Sequence, residues 1–291
     1  MKFWQSLFLT EADQIYDVVR ICEEVGFDGV MVSDHLIHFD QMEPRYPYST
    51  DGRPPSFSAE TVWPECWSII AAMAALTERI RFVTNVYILP LRNPVEVAKA
   101  TSSVASFSKG RLALGAGAGW MKEEFDLLGV DFRTRGRRFD ECIQVLRKLW
   151  TGELVEHSGD FFDFPPVKMC PVPEQPIPIY IGGMSPAALR RAARLGDGWV
   201  GAGQMPDDAL ETLKQLDALR SEARRSHEPF DSIVPLLVPP EPDTLRRLED
   251  AGAGATVSYP FAFSIGPTST LAQKREYLEG YANDVISKLR G

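Results

Sequence analysis

The sequence predicts an α/β protein with the (β/α)8 TIM-barrel fold. Short apolar segments alternate with helical segments eight times along the 291 residues, and this alternation indicates a parallel sheet with helices outside it. The predicted strands begin near residues 2, 27, 80, 111, 178, 198, 232 and 255. An open doubly wound sheet is the alternative that the same pattern allows. We find no internal repeat or boundary, and we expect residues 1–291 to form a single domain.

Local signals mark the ends of several helices. Residues 11–25 place their apolar side chains at helical spacing, and Gly26 is positioned to end that helix. Asn93 and Ser185 are each followed by proline, which is typical of an N-cap residue and the first helical position.

Two stretches interrupt the alternation. Residues 36–57 are rich in proline and aromatic residues, and a loop of this length is usually functional in a compact domain. We therefore expect insertion loops at the C-terminal ends of the strands, with this one acting as a lid or pocket wall. Residues 157–178 predict a small hairpin followed by an extended, proline-rich connector.

Composition and net charge indicate which kinds of binding partner to expect. The net charge is −9 and there is no long basic run, so we expect no nucleic-acid or membrane partner. The four cysteines lack Cys-x-x-Cys spacing, which favours reduced thiols in a cytoplasmic protein. His35 and His38 have no further histidine nearby, so we expect no metal site. The sequence leaves the oligomeric state open, with a homodimer as one alternative.

Candidate site residues follow from the barrel prediction, because active groups in this fold lie at the C-terminal ends of strands. Histidine suits general acid or base work near neutral pH, and His35 is the most reactive side chain at these ends. We therefore predict His35 and its acidic neighbour Asp34 as the catalytic residues. The selected residues are Asp34, His35, Asn85, Val86, Gly117, Ala118, Gly119, Trp120, Gly182, Gly183, Met184 and Ser185.

Two of these ends are glycine-rich and meet helix starts. Residues 111–129 predict a strand, a turn in which glycine alternates with alanine, and a short helix. With Gly182 and Gly183 on the next strand, this turn could offer backbone amides to one anionic group. The alternative is that these small residues only allow close packing.

Two further groups have open interpretations. Glu123 and Glu124 are predicted to favour a helix start or to pair with the basic cluster at 133–138, and not to act as a catalytic dyad. Trp63, Trp67 and Trp120 either line a pocket for a flat ring or belong to the core.

Several motifs, in order, resemble the luciferase-like flavin monooxygenase superfamily, and in particular its branch that uses the deazaflavin coenzyme F420. The motifs are GFDGVMVSDHL, ERIRFVTNVYILPLRNPVEVAKATSSVASFSKGRLALGAGAGWMKEEFDLLG, RGRRFDECIQVLRKLW and PIPIYIGGMSPAALRRAARLGDGWV. The resemblance covers nearly the whole chain. It implies a barrel that holds a flavin or deazaflavin across its strand ends.

The resemblance also implies residue roles. Asp34 and His35 would face the ring, and a non-prolyl cis peptide at Asn85-Val86 would back it. Segments 118–120 and 182–185 would hold the ribityl-phosphate part. Trp120 stands where the sugar-phosphate dehydrogenases of the branch have an acidic glutamate, and their substrate-phosphate lysines have no clear counterpart, which favours an apolar or aromatic substrate.

The leading hypothesis is an F420-dependent oxidoreductase that moves a hydride between the deazaflavin and a small organic substrate, with His35 moving a proton. The first alternative is an FMN-dependent monooxygenase that uses reduced flavin and oxygen. The second is a flavin- or deazaflavin-binding protein without turnover.

Overall fold

The computed structural model describes residues 1–43, 45–49, 51–53 and 58–291. Eight parallel strands pair in chain order, and the last pairs with the first, so the sheet closes into a barrel. This closure confirms the (β/α)8 prediction and rules out the open sheet. The strands are β1 (Lys2–Ser6), β2 (Gly29–Val32), β3 (Arg81–Thr84), β4 (Leu112–Gly117), β5 (Ile179–Gly182), β6 (Gly198–Val200), β7 (Asp231–Val234) and β8 (Ala255–Ser258).

A helix follows each strand. The predicted caps are present, because the Asn93 side chain accepts from the Val95 amide at 2.9 Å and Ser185 Oγ accepts from the Ala188 amide at 3.2 Å. No helix among the described residues combines the length with the apolar character that crossing a bilayer requires. The helices are α1 (Ile15–Val25), α2 (Cys66–Ala75), α3 (Pro94–Phe107), α4 (Arg135–Leu149), α5 (Pro186–Leu195), α6 (Pro206–Glu222), α7 (Pro242–Asp250) and α8 (Leu271–Tyr281).

The barrel interior is a separate apolar cluster to which every strand contributes. Side chains alternate across a strand, so one set faces the barrel axis and the other packs under the helices. The inward-facing side chains fill the interior of the barrel, which leaves its C-terminal end as the place for a ligand site. Its members are Trp4, Met31, Val83, Ala113, Tyr180, Val200, Ile233, Ala255 and Val257.

The two interruptions lie in different places. Within the described residues, segment 36–65 forms neither a helix nor a strand and lies between β2 and α2 at the mouth; Pro44, Thr50 and 54–57 fall outside the described residues.

The predicted hairpin is present as Val155–Ser158 and Asp163–Val167. It packs along the outside of α4, where the Glu141 carboxylate accepts from His157 Nε2 at 3.2 Å and from the Phe162 amide at 2.8 Å. This insertion therefore adds nothing to the mouth.

Candidate functional site

His35 is held by a buried carboxylate. It follows β2, and its Nδ1 lies 3.2 Å from Oε2 of Glu124, whose side chain is 0% exposed. The other oxygen of Glu124 accepts the Leu36 amide at 2.7 Å. Because a carboxylate accepts hydrogen bonds, this contact favours the His35 tautomer that carries its hydrogen on Nδ1. The pair therefore fixes both the tautomer and the orientation of the ring.

Glu124 lies in the first turn of the short helix Lys122–Leu127, as predicted. Among the described residues its carboxylate contacts His35 and not the cluster at 133–138, which corrects that second interpretation. Arg133 pairs instead with Asp131, and Arg138 donates to the Pro90 carbonyl at 2.8 Å. Glu123 accepts the Glu43 amide at 2.8 Å and so ties the long loop to the short helix. The sequence signal for Glu124 was its place four residues after Trp120 at the end of β4, on the same barrel edge as His35.

Aromatic rings surround His35 on both sides. The Trp63 ring lies 4.9 Å from the His35 ring and the Trp120 ring lies 5.6 Å from it, both edge-on. Each tryptophan contacts a further aromatic ring. The Phe8 ring lies 5.2 Å from that of Trp63, and the Tyr46 ring lies 5.3 Å from that of Trp120. Planar apolar walls around a titratable ring suit a flat heteroaromatic group.

Trp67 does not belong to this wall. It is buried, and its ring packs 4.8 Å from that of Tyr87 in the core between α2 and the continuation of β3. Of the three tryptophans considered from the sequence, Trp63 and Trp120 therefore lie at the site and Trp67 does not.

Asp34 is an internal ion-pair partner. Its Oδ1 accepts from Arg92 Nη2 at 2.8 Å and its Oδ2 accepts the Ile88 amide at 2.9 Å. Burial raises the pKa of the Asp34 carboxyl, and Arg92 and the Ile88 amide oppose that rise. The carboxylate thus connects the end of β2 to the segment before α3 and holds the backbone that carries His35.

The expected cis peptide is present between Asn85 and Val86, where it separates β3 from the two-residue strand Tyr87–Ile88. It places Val86 between the ends of β4 and β5. A Cβ added at Gly117 would lie 2.5 Å from Val86 Cγ2, and one added at Gly182 would lie 2.5 Å from Val86 Cγ1. These two glycines therefore make room for Val86, as the packing alternative proposed.

We expect Gly182→Ala to lower the free energy of unfolding by about 1–3 kcal/mol, because the new methyl group would overlap Val86. Urea unfolding without added ligand measures the loss. Gly280→Ala is the matched control, since a Cβ there meets no heavy atom within 4 Å. Adding Val86→Ala should recover part of the stability lost in Gly182→Ala. If the changes in unfolding free energy of the two single variants simply add in the double variant, the two side chains do not compete for space.

Gly119 and Gly183 serve a different purpose. Both have positive φ, 81° and 121°, which turns the chain sharply at the ends of β4 and β5. Among the described residues, no oxygen accepts the Gly119 or Trp120 amide. A Cβ added at Gly183 would lie 3.6 Å from the Tyr48 hydroxyl, and Ser185 caps the start of α5. The Gly119 and Trp120 amides, for which the described part of the chain offers no acceptor, and the start of α5 after the adjacent strand fit an anionic group such as a phosphate.

The predicted residues thus divide into three groups. Asp34 and His35 share the end of β2, Asn85 and Val86 lie beneath the mouth, and segments 117–120 and 182–185 end adjacent strands. Tyr46 and Tyr48 also lie at the site, in the segment that was predicted to form a lid or pocket wall. Glu124 and Arg92 belong to the site as well and were not predicted as site residues.

Comparisons with known proteins show which family this chain resembles. A family model described as luciferase-like monooxygenase matches residues 5–281. The uncharacterized protein Rv0940c of Mycobacterium tuberculosis is 36% identical over 291 residues, covering 99% of this chain and 100% of its own. The F420-dependent glucose-6-phosphate dehydrogenase of Gordonia bronchialis is 30% identical over 253 residues, covering 84% of this chain and 70% of its own.

The fold is also similar to that of a solved F420-dependent secondary alcohol dehydrogenase in complex with an F420-acetone adduct. The TM-score is 0.77 over 100% of this chain and 99% of the other, at 15% sequence identity. At that identity the likeness supports the barrel architecture alone.

Proposed function

This chain belongs to the luciferase-like monooxygenase family, and on that premise we propose that it is an oxidoreductase that uses the deazaflavin coenzyme F420 to transfer a hydride to or from a small organic substrate. The observation that carries the proposal is the His35–Glu124 pair, set between Trp63 and Trp120 at the C-terminal end of the barrel. It joins a proton-transfer group to walls that suit a flat ring.

When bound, the deazaflavin would supply or accept the hydride. The Gly119 and Trp120 amides and the N-terminus of α5 would hold its phosphate part, and Val86 would support the ring from below. In the direction of carbonyl reduction, His35 would donate the proton that the substrate oxygen takes up as its carbon gains the hydride. In the reverse direction His35 would remove the hydroxyl proton.

Glu124 and Asp34 would act through other groups. Glu124 holds Nδ1 of His35 and stabilises the imidazolium that forms when His35 takes up a proton. Asp34 holds the backbone at the end of β2 through its bonds to Arg92 and Ile88. We propose both as positioning residues, with His35 as the residue that exchanges a proton with the substrate.

The second candidate is an FMN-dependent monooxygenase, which the name of the matching family favours. Titration of the protein with oxidised and reduced forms of F420 and of FMN separates the two. We expect tighter binding of F420, at one site per chain, with turnover that does not require oxygen. Tighter binding of FMN with oxygen-dependent turnover would overturn the F420 proposal.

A further inference from the structure

The ends of β6, β7 and β8 form the part of the mouth that the cofactor proposal leaves uncovered. They are joined to one another and to β1 by hydrogen bonds. The Leu237 amide donates to the Gln204 carbonyl at 2.8 Å, and Gln5 Nε2 donates to the Tyr259 carbonyl at 3.0 Å. These segments therefore present one continuous surface beside the proposed cofactor site.

The three segments that form this surface are rich in apolar residues and contain no lysine, arginine or histidine. Met205, Leu237 and Phe263 are 47%, 61% and 50% exposed, although each is a large hydrophobic residue. A substrate phosphate or carboxylate placed here would lose water without gaining a counter-charge. The strand-end segments without lysine, arginine or histidine are 198–206, 231–241 and 255–269.

Among the described residues, three buried polar atoms at this surface lack a hydrogen-bond partner: Gln5 Oε1, Gln204 Oε1 and Tyr259 Oη. Ala255 and Val257 of β8 face the barrel interior, and the two-residue period of a strand places Tyr259 on the same side. The Tyr259 hydroxyl is buried and forms no hydrogen bond with any residue in the described part of the chain. A buried hydroxyl without a partner is unfavourable, and a ligand oxygen would satisfy it.

Gly203 and Leu237 lie next to that hydroxyl. A Cβ added at Gly203 would lie 3.8 Å from Tyr259 Oη and 2.8 Å from Leu237 Cδ2. The Leu237 side chain therefore packs against Gly203 beside the buried hydroxyl, and a side chain at position 203 would press on it. Leu237 is mostly exposed and can move at little cost in packing, and its movement would open space for a ligand oxygen at the Tyr259 hydroxyl.

We propose that Gly203, Leu237 and Tyr259 form the substrate subsite, and that it takes an uncharged, mainly apolar molecule whose carbonyl or hydroxyl oxygen hydrogen-bonds to the Tyr259 hydroxyl. This inference rests on the proposed function and specifies the substrate class for the same site. It assigns Tyr259 to substrate positioning, while proton transfer stays with His35.

The test uses three probes of equal ring size: 2-acetylnaphthalene, 2-naphthoate and 2-ethylnaphthalene. Their dissociation constants are measured by ligand-observed NMR with the cofactor-loaded protein. We expect the ketone to bind about tenfold or more tightly than the carboxylate. Tyr259→Phe should weaken ketone binding about three- to tenfold and leave the hydrocarbon unchanged, because it removes only the hydroxyl. Gly203→Val should weaken both, and Tyr16→Phe on exposed α1 is the control.

Three results would overturn the inference: carboxylate binding as tight as ketone binding, no binding by either uncharged probe, or an equal effect of Tyr259→Phe on ketone and hydrocarbon. The fluorescence of the cofactor in the same samples shows whether the cofactor is bound. It therefore distinguishes failure of the subsite inference from failure of the proposed function. If the cofactor binds and the probes do not, the subsite assignment alone is wrong. If neither F420 nor FMN binds, the proposed function is wrong.

Discussion

Replacing His35 with alanine is expected to lower turnover by about two orders of magnitude or more while cofactor binding stays measurable. The imidazole is the titratable ring between Trp63 and Trp120, so its loss removes the proton donor or acceptor but leaves the walls. Steady-state kinetics with a compound that the wild-type protein turns over measures the effect. His227→Ala, on the exposed surface, is the matched control. Unchanged turnover in His35→Ala would remove His35 from the proposed role.

Glu124→Gln tests the carboxylate of the His35–Glu124 pair. The amide keeps an oxygen for the Leu36 amide but removes the charge that faces His35 Nδ1. We expect turnover to fall about tenfold while cofactor binding is retained, because the imidazolium that forms on proton uptake loses its carboxylate partner. Unchanged turnover in Glu124→Gln would show that the charge of Glu124 has no part in the proposed reaction.

Replacing Arg92 with alanine is expected to lower the free energy of unfolding by about 3–5 kcal/mol, because it leaves the buried Asp34 carboxylate without a counter-charge. Urea unfolding measures the loss. Arg133→Ala is the control, since Arg133 pairs with Asp131 at the surface and its loss should change stability by about 1 kcal/mol or less. Adding Asp34→Asn to Arg92→Ala should recover part of the loss; no recovery would contradict the charge argument.

The stability lost in Arg92→Ala is expected to depend on pH. The folded-state pKa of Asp34 lies above its unfolded value, so the folded state binds more protons at this group and stability decreases as pH rises between the two values. Without Arg92 the folded-state pKa rises further. The stability deficit of Arg92→Ala should therefore grow as pH increases from about 4 toward neutrality. A deficit independent of pH would show that lost packing causes it.

The barrel was predictable from the sequence because its signals are local. Each buried strand is a short apolar run, and each cap lies within a few residues of the helix that it begins. The break in β3 was different: periodicity alone predicts one strand from Ile80 to Ile88, and only the family resemblance indicated the cis bond at Asn85-Val86.

The side-chain partners were harder to predict because they connect distant residues. Glu124 meets His35 across 89 positions, and Arg92 meets Asp34 across 58. Local sequence predicted the place of Glu124 in the first turn of a helix, but a glutamate there is ordinarily solvated, so its buried contact with His35 was missed. The positions of Gly117 and Gly182 were predicted, but whether they serve packing or ligand approach depends on Val86, which only the folded chain brings between them.

The two indole rings beside His35 also give the protein an optical reporter. Two of the chain's six tryptophans, Trp63 and Trp120, lie within 6 Å of that ring, measured between centroids. A chromophore bound at this end of the barrel that absorbs in the near ultraviolet would accept excitation energy from both indoles. Binding can therefore be followed by the loss of native emission, and single Trp63→Phe and Trp120→Phe variants would show which side of His35 the chromophore approaches.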